Sequence, residues 1–134
     1  MGALVYFSSQ TGNTHAMVEK TGIRASRIPI SPKDEQLLIE EPFVLVVPTH
    51  GAFDGRGAIP KQVLNFLTDG EHARLIRGVI GGGNTNFGET YCLAARKISD
   101  TYRVPVLYRF ELRGTLRDAD NIKTGMERFW KTQH

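Results

Sequence analysis

The chain has 134 residues, enough for one domain with a real core and too short for two. With 40% hydrophobic and 23% charged residues it has the composition of an ordinary soluble globular protein, and no apolar run approaches the roughly 20 residues that would cross a membrane. The net charge of +3 is uneven: residues 1–95 carry 8 basic and 9 acidic side chains, and residues 96–134 carry 9 and 5. The basic residues are interspersed with acids, so the bias points away from nucleic acid and toward an acidic protein partner or a small anion.

The first apolar run, Ala3-Leu4-Val5-Tyr6-Phe7, reads as a short buried strand that starts almost at the N-terminus and leaves no signal-peptide pattern. It runs into Ser8-Ser9-Gln10-Thr11-Gly12-Asn13-Thr14, and a helix is predicted over 14–22, with Gly22 as its stop. Strand, hydroxyl-rich turn, helix is the build of a phosphate cradle. Backbone N–H groups and the helix dipole favour an anion there, hydroxyls add donors, and Gly12 permits close approach. The turn lacks the G-x-x-x-x-G-K-[ST] pattern of a triphosphate site, and an uncharged cradle suits one phosphate monoester. The alternative is that these residues are ordinary loop formers.

Arg27-Ile28-Pro29-Ile30 is a weaker strand candidate, placed near a sheet edge by its proline. Residues 31–42 leave little room for a crossover helix, so a degenerate turn or short helix is expected. Strand 43–47 follows, then the loop Pro48-Thr49-His50-Gly51-Ala52-Phe53-Asp54-Gly55-Arg56-Gly57. A helix is predicted over 59–67, with Pro60 in its first turn and Val63, Phe66 and Leu67 on one face. Val79-Ile80 with its flanks forms the next strand and leads into Gly81-Gly82-Gly83-Asn84-Thr85-Asn86-Phe87-Gly88. Phe87, Tyr91, Ala94, Ile98 and Tyr102 then repeat at helical spacing, as do Ala119, Ile122, Met126, Phe129 and Trp130 after strand 104–110 and a cap at Thr115 or Asp118. The lone Cys92 falls on the first of these helices, as a buried structural thiol, and fits a reducing cytoplasm.

Strands alternating with helices imply an α/β domain spanning 1–134: a compact doubly wound sandwich on a parallel sheet, with helices on both faces and a shortened 31–42 connection. In a doubly wound sheet the three loops share one edge, where they would enclose a flat ring whose phosphate sits in the first loop. Glycine lets backbone approach the ring. Asn84 and Asn86 offer donors and acceptors to a pyrimidine edge, and His50, Phe53 or Phe87 offer a face for stacking. His50 reads alternatively as an exposed loop residue without a role, Phe87 as the start of a core face, and Asp54 with Arg56 as a solvated pair. His15, His50, His72 and His134 form no metal-ligand pattern with cysteine or carboxylates, and no residue stands out as acid, base or nucleophile.

The spacing Ser9-x-Thr11-Gly12-x-Thr14 matches the FMN-phosphate motif of flavodoxins. That resemblance implies their five-stranded sheet in the order 2-1-3-4-5 and a backbone carbonyl, at Gly51 here, free to turn toward the flavin N5 when reduction protonates it. Leu4-Val5-Tyr6-Phe7-Ser8-Ser9, Val47-Pro48-Thr49-His50-Gly51, Ala58-Ile59-Pro60-Lys61-Gln62-Val63, Arg77-Gly78-Val79-Ile80, Gly83-Asn84-Thr85-Asn86-Phe87-Gly88 and Tyr108-Arg109-Phe110-Glu111-Leu112-x-Gly114-Thr115 together resemble the NrdI family, flavodoxin-like activators of class Ib ribonucleotide reductase. The match runs in order along nearly the whole chain, and the short 31–42 region belongs to it. The 50–57 loop varies within that family, so its detailed contacts do not carry over.

The resemblance implies bound FMN. Its contacts would be the phosphate turn (Ser8, Ser9, Gln10, Thr11, Gly12, Asn13, Thr14), then Pro48, Thr49, His50 and Gly51, then Gly83, Asn84, Asn86, Phe87 and Gly88. It also implies that the reduced flavin passes one electron to dioxygen. The superoxide, or a related reduced species, would reach a dimanganese site in the reductase's small subunit and support tyrosyl-radical assembly. The implied partners are that subunit, dioxygen and a flavin- or ferredoxin-type reductant, in the cytoplasm, with no nucleic acid and no membrane. The alternative is a flavodoxin-type one-electron carrier, against which stand the basic pI near 9.2, the short length and the Tyr-Arg-Phe-Glu-Leu segment. A quinone-reductase-like enzyme would need room for a nicotinamide site, and a receiver domain would need an acidic pair where Ser8 and Ser9 stand.

Overall fold

The computed structural model describes residues 2–31, 33–50 and 57–133, apart from the side chains of Phe87, Glu89 and Thr90. The elements are β1 (Ala3–Tyr6), α1 (Asn13–Thr21), β2 (Ala25–Arg27), β3 (Phe43–Pro48), α2 (Lys61–Thr68), α3 (Gly70–Leu75), β4 (Ile76–Gly83), a 3-10 turn (Thr85–Thr90), α4 (Leu93–Tyr102), β5 (Val106–Glu111) and α5 (Leu116–Thr132). The strands form one parallel sheet in the order β2-β1-β3-β4-β5. This is the doubly wound topology expected from the sequence.

Side-chain alternation divides the core in two. Val5, Phe7, Leu45, Val47 and Val79 face Val63, Phe66 and Leu67 of α2 and Ala94, Ala95 and Ile98 of α4. Leu4, Tyr6, Val44, Val46 and Ile80 face Met17 and Val18 of α1 and Ala119, Ile122 and Met126 of α5. Strands covered on both faces have no polar side to show, which is why β1 and β3 are continuous apolar runs.

The glycines of β4 bring its neighbours close. A Cβ on Gly81 would lie 2.7 Å from the Ala95 Cβ, and one on Gly82 would lie 2.8 Å from the Phe110 ring. Helix α4 therefore sits against one face of the strand and Phe110 of β5 against the other.

Four local expectations are corrected. The edge strand is Ala25–Arg27, ending before Pro29, because a residue without an N–H cannot continue the ladder. The stripe expected to begin at Phe87 does not start a helix: Thr85–Thr90 is a 3-10 turn, Gly88 inside it has φ 57°, and α4 begins only at Leu93. Cys92 is buried but is the left-handed N-cap of α4, not an interior helical residue. Pro60 likewise stands at the N-cap of α2, one position before the first turn.

Helix α3 was not legible in the periodicity, and it secures the 31–42 connection. The buried His72 stacks on Phe66 at 3.9 Å between centroids, and its Nε2 lies 3.0 Å from the Ile39 nitrogen. Since a backbone N–H can only donate, Nε2 is the acceptor, and Nδ1–H donates to the Phe66 carbonyl at 2.9 Å. No regular element occupies the described part of 31–42. A single imidazole ties that segment down where a crossover helix would otherwise pack.

Candidate functional site

A cleft of about 310 Å3 opens at the carboxyl ends of β1, β3 and β4, where a doubly wound sheet binds its ligand. Ser9, Thr11, Asn13 and Thr14 line it from the first loop, Pro48, Thr49 and His50 from the second, and Gly82, Gly83 and Asn84 from the third. A larger groove of about 460 Å3 lies at the other end of the sheet, around Gly2, Leu4 and Trp130. Its lining is mainly apolar, whereas the upper cleft gathers hydroxyls, an amide and a helix start in one place.

In the first loop the Gly12 N–H donates to the Ser9 carbonyl at 3.0 Å, and Gly12 takes φ 74° as the N-cap of α1. That left-handed conformation costs a residue with a Cβ, and it is why glycine stands there. Gly12 has no side chain with which to cap the helix, and Asn13 and Thr14 at the start of α1 line the cleft. The Ser9 and Thr11 hydroxyls lie 3.0 Å apart.

Ser8 differs from its neighbours. It is fully buried, its Oγ accepts the His15 N–H at 3.0 Å, and its carbonyl accepts from Arg27 Nη2 at 3.1 Å. Its side chain is a strut beneath the turn and does not line the cleft. Gln10 is exposed and also stands outside the cleft lining.

In the second loop the Thr49 N–H donates to the Gly82 carbonyl at 3.1 Å, and its Oγ1 accepts the Ala94 N–H at 3.0 Å. One residue thus joins the end of β3 to β4 and to the first turn of α4. The His50 N–H donates to the Ala58 carbonyl at 2.8 Å, and its ring meets Phe7 edge-on at 6.1 Å. Burial holds the His50 imidazole below its ordinary pKa, so it stays neutral at pH 7. Gly51, Phe53, Asp54 and Arg56 lie outside the described residues.

In the third loop Asn84 accepts the Asn86 N–H on its Oδ1 at 2.9 Å, an Asx turn that occupies the side-chain oxygen of Asn84. Asn86 and Gly88 are exposed and do not line the cleft. Phe87 lies in the 3-10 turn, with its side chain outside the description.

Sequence reasoning missed two residues at the end of β5. Glu111 accepts from both the N–H (2.9 Å) and the hydroxyl of Thr85, and these bonds hold its carboxyl below the ordinary range. Leu112, with φ 53°, donates its N–H to the Gly83 carbonyl at 2.8 Å and closes the cleft wall. The available signal was topological: β5 pairs with β4, so the residues after it must abut the loop that β4 feeds.

The donor set fits a phosphate monoester joined to a flat ring. A helix start whose N-cap residue, Gly12, gives no side-chain cap stands with paired hydroxyls at one end, and backbone, an amide and an imidazole stand at the other. Burial raises the Cys92 thiol, and Tyr91 is pushed up to about 12, first by burial and then by Cys92 beside it. Neither is ionised at pH 7. Among the described residues no group of histidine, cysteine and carboxylates could hold a metal ion, and no helix is long and apolar enough to cross a membrane.

A family model described as NrdI flavodoxin-like matches residues 5–124. The chain is 55% identical over 134 residues to a protein of Rhizobium johnstonii called Protein NrdI, covering 100% of this chain and 99% of that one. It is 52% identical over 133 residues to the Protein NrdI of Brucella ovis, covering 99% and 98%. Among solved structures, a short-chain flavodoxin associated with a PDU bacterial microcompartment superposes with a TM-score of 0.65 at 18% identity, covering 98% of each chain. The two-electron reduced flavodoxin of Megasphaera elsdenii superposes with a TM-score of 0.57 at 15% identity, covering 93% of this chain and 98% of that one. At these identities the structural matches speak for the fold alone.

Proposed function

Since this chain belongs to the NrdI flavodoxin-like family, we propose that it is an FMN flavoprotein of the cytoplasm that supports cofactor assembly in class Ib ribonucleotide reductase. When bound, FMN supplies one-electron reduction of dioxygen, and the superoxide or a related reduced species is delivered to the dimanganese site of the reductase's small subunit, where the tyrosyl radical is made. A flavin- or ferredoxin-type reductant recharges the protein.

The chain's own residues bind, orient and enclose. Ser9, Thr11 and the first N–H groups of α1 hold the phosphate through hydrogen bonds and the helix dipole. Ser8 and Gly12 shape that turn, one from beneath and one through its left-handed backbone. Pro48, Thr49 and His50 wall one side of the ring, with neutral His50 offering an uncharged polar edge. Gly83 and Asn84 wall the other, in a loop steadied by Glu111. Gln10, Asn86, Phe87, Gly88 and Gly51 are assigned to the rim of the same site. No side chain has to exchange a proton with a substrate.

The observation that carries the reading is the convergence of three loops on one cleft at the start of α1, whose N-cap residue Gly12 carries no capping side chain, in a chain of this family. The test is to load the protein with FMN, reduce it, add a manganese-loaded class Ib small subunit, admit oxygen and record the electron paramagnetic resonance spectrum. A tyrosyl radical that depends on this protein is the expected result. A flavin that cycles normally with no radical formed would place the protein among one-electron carriers.

A further inference from the structure

The phosphate turn contains no charged side chain, yet an arginine lies directly beneath it. Arg27, the last residue of β2, places its guanidinium carbon 5.9 Å from the Tyr6 ring centroid and donates from Nη2 to the Ser8 carbonyl at 3.1 Å. The Tyr6 hydroxyl lies 2.6 Å from His15 Nδ1, and the His15 backbone N–H returns to Ser8 Oγ at 3.0 Å. Arg27, Tyr6, His15 and Ser8 therefore close a ring under the first loop.

The two cationic candidates in this ring are not equivalent. His15 Nε2 meets the Glu19 carboxylate at 2.5 Å, so any charge on the imidazole is opposed. Arg27 has no carboxylate partner among the described residues, and its Nε is buried without a hydrogen-bond partner. Arg27 is half-buried, and the Nε side of its guanidinium is shut off from water, so on that side its field passes through protein toward the turn with less screening than at a fully exposed site. Within the ring, a fixed, unopposed positive charge sits under a cradle shaped for an anion.

We propose that Arg27 is the counter-charge of the bound phosphate and makes the site selective for flavin monophosphate over phosphate-free riboflavin. It is a positioning residue, acting on the phosphate through space and through the Ser8 carbonyl that it holds. The inference rests on the FMN reading above and adds the source of phosphate selectivity in a turn with no cation of its own.

The test is to titrate the apoprotein with FMN and with riboflavin, following quenching of flavin fluorescence, for the wild type, Arg27→Gln and Arg27→Lys. Arg27→Gln is expected to weaken FMN about tenfold, the order of effect of removing one partly screened elementary charge near an anion. Riboflavin should change by less than about twofold, and Arg27→Lys should stay within about threefold of wild type for both ligands, because the charge is kept. Far-UV circular dichroism checks each fold. If Arg27→Gln does not fold, Arg27→Met keeps the unbranched stem over Tyr6 without the charge. An unchanged FMN affinity in the neutral variant, or equal losses for FMN and riboflavin, overturns the proposal and leaves Arg27 a structural support. Wild-type protein that binds neither flavin overturns the cofactor reading and this inference with it.

Discussion

Adjacent hydroxyls in the first loop have opposite roles. Leu4 and Tyr6 face α1 and α5, and Ser8 continues that alternation two residues on, so its Oγ meets the backbone of α1 while Ser9 and Thr11 reach the cleft. Ser9→Ala and Thr11→Val should each weaken FMN about threefold to tenfold, the worth of one net hydrogen bond, without moving the melting temperature. Ser8→Ala should lower the melting temperature as well, because it strips a buried N–H of its acceptor. Equal thermal behaviour in all three variants would contradict this division. Glu111 carries a pH dependence of defined sign. Its folded pKa is depressed by the Thr85 bonds, so the tie is intact above the ordinary carboxylate range and is lost as pH falls through the depressed value. Exchange of the Thr85 amide, followed by NMR, should accelerate relative to its neighbours in acid, and in Glu111→Gln it should be fast already at neutral pH.

At the scale of elements, helix starts and strand contacts decide the outcome. Thr115 Oγ1 accepts the Asp118 N–H at 3.0 Å and Asp118 Oδ2 accepts the Thr115 N–H at 2.8 Å, a capping box that fixes where α5 begins. The Tyr108 hydroxyl also donates to Asp118 Oδ1 at 2.6 Å, binding the helix start to β5 and, with the cap, holding the Asp118 carboxyl below its usual pKa. Thr115→Ala should cost about 1 kcal/mol in urea unfolding. Asp118→Asn should reduce stability at pH 7 and flatten its decline in acid, since the wild-type contribution is present above the unfolded pKa and disappears as pH falls through the folded one. In β4, Gly81→Ala should cost about 1–3 kcal/mol, because its Cβ would lie 2.7 Å from that of Ala95 and 3.2 Å from that of Cys92. Melting at the wild-type temperature would show that α4 can move away from the strand, contrary to the packing of both faces.

For the whole molecule, charge is the property most directly tied to the proposed chemistry. Two-electron reduction of FMN leaves an anionic ring, which an acidic surround penalises and a neutral or basic one does not. The net charge of +3 and the basic C-terminal third therefore predict two one-electron potentials lying closer together than in an acidic flavodoxin. A spectroelectrochemical titration with widely separated steps would refute that electrostatic argument.

Much of this molecule was determined by the sequence itself. Runs of β-branched and aromatic residues between helical stripes specify a doubly wound sheet, a capping residue at Thr115 or Asp118 marks a helix start, which the structure assigns to Thr115, and Gly22 marks a helix end. The glycine turn between β1 and α1 was legible for the same reason: each depends on residues within one or two turns of chain, where backbone preference and local hydrogen bonding dominate. Tertiary structure decided what local spacing cannot encode. It turned Ser8 inward, put His72 under a connection 33 residues away, and brought Glu111 to a loop 26 residues earlier through strand pairing. It also moved the start of α4 past Cys92, because the chain must first turn over the glycine edge of β4 before a helix can pack there. The cleft depends on sheet register and helix contact, which exist only once distant segments have met.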